Sequence, residues 1–128
     1  MNANQLMLDN YLQDSVSKTI LKVIEILPNT FSTYVIDRTK FPLKKGWKAE
    51  PIPLTKKWLL DFGFKQNELT FSLANDEYSI TIFFCDLWKF QYETPLESAS
   101  LVNDFKVHEL QNLYYSLTGR FLKLVEPN

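Results

Sequence analysis

Residues 68–93, ELTFSLANDEYSITIFFCDLWKFQYE, switch between apolar and polar side chains at almost every step. Leu69, Phe71 and Leu73 alternate with Thr70 and Ser72, while Tyr78, Ile80, Ile82 and Phe84 alternate with Ser79, Thr81 and Phe83. Trp88, Phe90 and Tyr92 then alternate with Lys89, Gln91 and Glu93. Successive side chains on a strand point to opposite faces, so this period of two predicts three strands sharing one aromatic face. Asn75-Asp76 and Asp86 supply the turn residues between them, and the predicted unit is a three-stranded antiparallel meander.

Downstream, Pro95 ends the predicted sheet and Leu96 to Asp104 reads as a connection. The period then changes. In VHELQNLYYSLTGRFL, residues 107–122, Leu110, Leu113, Tyr114 and Leu117 follow the i, i+3, i+4, i+7 rule, and Gly119 supplies a stop. The spacing predicts a helix of about three turns. Arg120 to Val125 is short and apolar enough to return as a last strand.

Upstream, PIPLTKKWLLDFGF, residues 51–64, carries the punctuation of a short helix. Pro51 and Pro53 hold the approach extended, Thr55 is an N-cap candidate, Trp58, Leu59 and Phe62 lie at helical spacing, and Gly63 suits the left-handed position after the end. Arg38 to Glu50 reads as a long basic loop containing Lys40, Lys44, Lys45, Lys48 and Trp47. Before it, the β-branched run Thr19 to Leu27 and the alternating segment Thr30 to Asp37 predict a hairpin turning through Leu27-Pro28-Asn29. The expected architecture is α+β: an antiparallel sheet, made of the N-terminal hairpin and the central meander, with two short helices packed on it.

Bulk properties narrow the function classes. The 128 residues are of single-domain size, and 15% are aromatic, so the chain can bury a core without metal or disulfide help. A formal charge of −1 gives no field to attract phosphate backbones, so nucleic acid is disfavoured as a partner. The one cysteine, Cys85, sits among Ile82, Phe83 and Phe84 and is read as a buried thiol in a reducing compartment. The N-terminal stretch shows no signal-peptide pattern and no apolar run is long enough for a membrane span, so a cytoplasmic protein is expected.

The two punctuated helices resemble the paired motifs of a family of short, uncharacterised proteins encoded in bacterial genomes, often in prophages or other mobile elements. Its members join a proline-flanked "PIPLT…WL..FGF" helix to a C-terminal "H.LQNLY..LTG" helix through a variable β region. The likeness rests on Pro51 to Phe64 and His108 to Gly119, with an echo in Leu6 to Leu12 (LMLDNYL). There the family carries Ile-Gly before Asn-Tyr, whereas this chain has Leu8-Asp9 before Asn10-Tyr11. The resemblance implies genomic context and no established reaction.

Catalytic patterns are sparse. A Cys85–His108 dyad would need an accessible thiolate, which an apolar strand disfavours. Asp76 with Glu77 and Asp104 with Glu109 are more simply turn and helix first-turn residues. One His and one Cys make no zinc motif, and three glycines form no phosphate-binding loop. No cofactor is expected.

What remains is the polar side of the last helix. At about 100° per residue, His108, Asn112 and Tyr115 fall close together with Gln111 alongside, opposite the leucine stripe. Two readings of these uncharged hydrogen-bonding groups stay open: they tie down a neighbouring connection, or, with Trp47, they form a binding surface. The functional expectation is a small non-enzymatic accessory protein acting through a protein partner, from which a homo-oligomeric role is not separable by sequence. The alternative is a module that binds or sequesters a small ligand such as a nucleotide.

Overall fold

The computed structural model describes residues 6–36, 39 and 42–125. In chain order its elements begin with β1 (Tyr11–Asp14), β2 (Ile20–Leu27), β3 (Thr30–Val35), β4 (Ala49–Glu50) and helix α1 (Lys56–Asp61). They continue with β5 (Lys65–Asn67), β6 (Thr70–Ala74), β7 (Ser79–Cys85), β8 (Leu87–Glu93), β9 (Ser98–Asn103) and helix α2 (Val107–Thr118). The α+β class holds, with antiparallel pairing throughout. The strands form two sheets, ordered β3-β2-β1-β4 and β5-β6-β7-β8-β9, in place of the expected hairpin plus three-stranded meander. They belong to two compact units: residues up to Pro53 with Lys106–Phe121, and Leu54–Phe105 with the segment from Leu122.

In the first unit the predicted hairpin is β2 and β3, with Leu27 opposite Thr30 and Asn29 at φ 65° in the turn between them. Its alternation breaks where the pairing jumps from Val23↔Thr33 to Glu25↔Ser32, which leaves Ile24 as a bulge. The extra residue moves Ile26 to the face of Leu21 and Val23, against the strict period of two read from sequence. Sequence reading missed β1 and β4, because four and two residues are too few to show a period. The core of this unit is Leu6, Leu12, Leu21, Val23 and Val35, with Phe31, Leu43 and Ala49 packed against it. Of the predicted segments, Asp37, Arg38 and Lys40 lie outside the described residues.

The second unit contains the predicted meander as β6, β7 and β8, flanked by two strands that sequence did not announce. Phe71, Ile82 and Phe90 face one another across the strands and are almost completely buried. Leu69 falls in the β5–β6 turn and is exposed, correcting its place on the inner face. β5 is Lys-Gln-Asn and exposed throughout, so it carries no apolar signal. β9 replaces the expected connection. Pro95 does not end the sheet but sits in a turn closed by Thr94, whose amide donates to Glu97 O (2.8 Å) and whose Oγ1 accepts from Glu97 N (3.0 Å). Pro suits the second position of such a turn.

α1 starts and stops as the sequence predicts, and α2 stops at the predicted glycine; Glu109 is in the first turn of α2 as expected, whereas Asp104 precedes the helix. Thr55 Oγ1 accepts from Trp58 N at 3.4 Å, and Gly63 follows α1 at φ 96°. α2 ends at Gly119 (φ 74°), and Glu109 Oε1 accepts from the Lys106 amide at the helix start. Leu110 and Tyr114 are buried, Leu113 and Leu117 half-buried. The last expected strand does not form. Residues 121–125 run without a ladder, held by Val125 N donating to Asp61 O (2.7 Å).

Candidate functional site

The N-terminal echo and the last helix meet inside the first unit. Asp9 adopts the left-handed conformation, φ 69°. Asp and Asn tolerate this region better than other non-glycine residues, so Leu8-Asp9 makes the turn that leads into β1. The turn is closed by Asn10 Oδ1 accepting from Met7 N (2.7 Å), and it joins β2 through Asp9 N to Val23 O and Val23 N to Asn10 O, both 2.9 Å.

α2 grips that turn. The Gln111 amide spans it, with Oε1 accepting from Tyr11 N (2.9 Å) and Nε2 donating to Asp9 O (3.0 Å). Asn10 Nδ2 donates to Asn112 Oδ1 at 2.9 Å. A primary amide offers a donor and an acceptor on one planar group, so it can satisfy a backbone C=O and N–H as a neighbouring strand would. Lys or Glu could match only one of the two, which accounts for uncharged polar residues at these helix positions.

Of the predicted surface residues, His108 and Gln111 are buried and Asn112 half-buried, so these three present no open face. The hydrogen bonds of Gln111 and Asn112 describe an anchor. His108 is 4% exposed, and its Nδ1 has no hydrogen-bond partner among the described residues. Burial lowers its pKa, opposed by the charge of Glu109.

Tyr115 and Trp47 do reach the surface. Tyr115, 38% exposed, stacks on the 46% exposed Phe121, with ring centroids 4.8 Å apart and planes inclined by 26°. Trp47 stands in the exposed loop beside Lys44, Lys45 and Gly46, its amide donating to Lys44 O (3.2 Å).

Sequence reading passed over a buried carboxylate. Asp14 is fully buried, with Oδ2 accepting from Ser17 N (2.9 Å) and Ser17 Oγ (2.7 Å), and Oδ1 accepting from Lys48 N (2.9 Å). The Ser17 amide is the main cause of a carboxyl pKa held below the usual range, and the Lys48 amide adds to it. The Asp-x-x-Ser spacing of a side-chain-capped turn was the available signal. Asp14 thereby ties the β1–β2 turn to the basic loop. Beside it Glu50 Oε1 accepts from Lys18 Nζ (2.6 Å) and Gln13 Nε2 (2.9 Å).

In the second unit Cys85 is exposed, contrary to the buried thiol expected, because it lies at the β7–β8 turn where Asp86 takes φ 65°. Among the described residues no group of three or more His, Cys, Asp or Glu could hold a metal ion, and no helix is long and apolar enough to cross a membrane. Compared with protein-family models, curated proteins and solved structures, the chain gave no match, so the chemistry of the site has to be argued from its own geometry.

Proposed function

We propose that this protein is a non-enzymatic accessory factor that acts by binding another protein, in the setting of phages or mobile elements that the motif resemblance implies. The observation carrying the reading is the Tyr115–Phe121 stack, two large aromatic side chains held against each other yet half open to solvent. Rigid aromatic groups lose little conformational freedom on docking and dominate binding hot spots. Residues Gln111 and Asn112 support the reading indirectly, since they fix the helix that presents Tyr115. Trp47 offers a further aromatic anchor in the same unit.

The small-ligand alternative draws no support from two depressions described for the second unit. These measure about 210 Å³ (Gln91, Glu93, Ser98–Ser100) and about 140 Å³ (Gly63, Lys65, Ser72–Ala74). Ligand pockets start at roughly 300 Å³. The test is affinity capture from host lysate with wild-type protein and with Tyr115→Ala. A specific protein retained by the wild type and lost with the folded variant supports the reading. Identical recoveries from the two baits would overturn it.

A further inference from the structure

The two edges of the five-stranded sheet differ in how they are protected. β5 is three residues long and begins with Lys65, and both features discourage pairing with another chain. β9, Ser-Ala-Ser-Leu-Val-Asn, is six residues long, has no charge and no proline, and is exposed at every position. Its inner side pairs in unbroken register with β8, from Trp88↔Asn103 to Glu93↔Ser98. Its outer side therefore offers a straight row of backbone donors and acceptors.

The side chains indicate what fits there. Phe71, Ile82, Phe90 and Leu101 form one cross-strand row through β6, β7, β8 and β9. Exposure along it is 1%, 1%, 2% and 46%. The apolar layer runs to the edge and stops half-open at Leu101. We propose that β9 pairs antiparallel with β9 of a second copy, about a two-fold axis at Leu101, joining the five-stranded sheets of two molecules into one. Leu101 then faces Leu101 of the second copy and extends the apolar row across the junction.

Charge allows a second copy as the occupant, and the leucine pair sets the register. A strand that pairs with itself meets its own charges, and Ser98–Asn103 has none. With the axis at Leu101, Ser98 faces Asp104, Ala99 faces Asn103 and Ser100 faces Val102, with no like charges opposed. Moving the axis to between Ser100 and Leu101 sets Glu97 against Asp104 and loses the leucine pair. One strand pair is a small interface, below the roughly 1,200 Å² of stable complexes, so association should be of about micromolar strength or weaker.

The experiment uses the full chain with Cys85→Ser. Sedimentation from about 10 μM to about 1 mM should show the mass rising from 15.1 kDa toward twice that value. Leu101→Lys, which places like charges directly opposite, should weaken association at least about tenfold. Leu101→Cys should oxidise to a disulfide-linked dimer faster than Leu69→Cys, a more exposed site. Hydrogen exchange of the unsubstituted strand should slow with concentration at alternate amides of residues 98–103, a readout that does not depend on any variant folding. A monomer at all concentrations, unchanged exchange in β9, or equal cross-linking at residues 69 and 101 would overturn the proposal. Tyr115→Ala should leave association unchanged, which separates this interface from partner capture.

Discussion

Asn10 and Asn112 are 102 positions apart in the chain and 2.9 Å apart in the fold, one side-chain amide donating to the other. With Gln111 beside them, they hold β1 to α2.

Gln111→Ala should destabilise the protein by about 2–3 kcal/mol, because Tyr11 N–H and Asp9 C=O both lose their partner in a largely dry site. Asn112→Ala should cost less, about 1 kcal/mol, and a double-mutant cycle with Asn10→Ala should return a coupling of about that size. Urea titrations of the wild type, the three single variants and the double variant give these numbers. Additive effects would show that the Asn10–Asn112 bond is not formed in solution.

Asp9 tests the left-handed turn. Asp9→Gly removes backbone strain but frees the unfolded chain and breaks the 3.3 Å ion pair with Lys22, so the net change should lie within about 0.5 kcal/mol. Asp9→Val should cost about 1–2 kcal/mol, since a β-branched side chain is excluded from φ 69°. Thermal unfolding of both variants reads the contrast.

The two helix-terminal glycines should respond unequally to alanine. A Cβ at Gly119 meets open space, so Gly119→Ala carries only the left-handed penalty of about 1 kcal/mol. A Cβ at Gly63 would approach Val125 Cγ2 to 3.0 Å, which adds a clash to the same penalty. Gly63→Ala should therefore be the worse variant, and Val125→Ala should recover the difference but not the remainder.

Stability should fall with acid in two steps. His108 has its folded pKa lowered by burial, so the unfolded chain binds more protons and stability drops as pH falls through the ordinary histidine value of about 6.5. Asp14, lowered chiefly by the Ser17 amide, contributes stability that is present above the ordinary carboxylate pKa and lost as pH falls below it. His108→Gln should flatten the first step and Asp14→Asn the second in urea midpoints measured against pH. A first step that survives His108→Gln would assign it elsewhere.

Long periods were legible in the sequence and short or polar elements were not. The aromatic row from Phe71 to Tyr92 and both helix stops at Gly63 and Gly119 announced themselves because burial or a left-handed backbone demands those residue types. β5 and β9 bury no residue, so nothing in Lys-Gln-Asn or Ser-Ala-Ser-Leu-Val-Asn marks them as strands. The Ile24 bulge was invisible because it is set by the partner strand's pairing, which periodicity within one segment does not contain. At the candidate site, the unusual polar face of α2 could be noticed, but its target lay a hundred residues away in Asp9, Asn10 and Tyr11.

Pro53 pairs with Lys106, and Val107 N donates to Ile52 O at 2.8 Å, so the chain leaves the first unit and re-enters it at neighbouring points. During synthesis the intervening residues 54–105 emerge as one continuous block. At roughly 5–20 residues per second, the amino-terminal strands wait on the order of 3–10 s for the helix that grips them. Every strand of the second sheet precedes that helix in the chain, so β1 to β4 gain their helical partner only after the whole inserted block has been made.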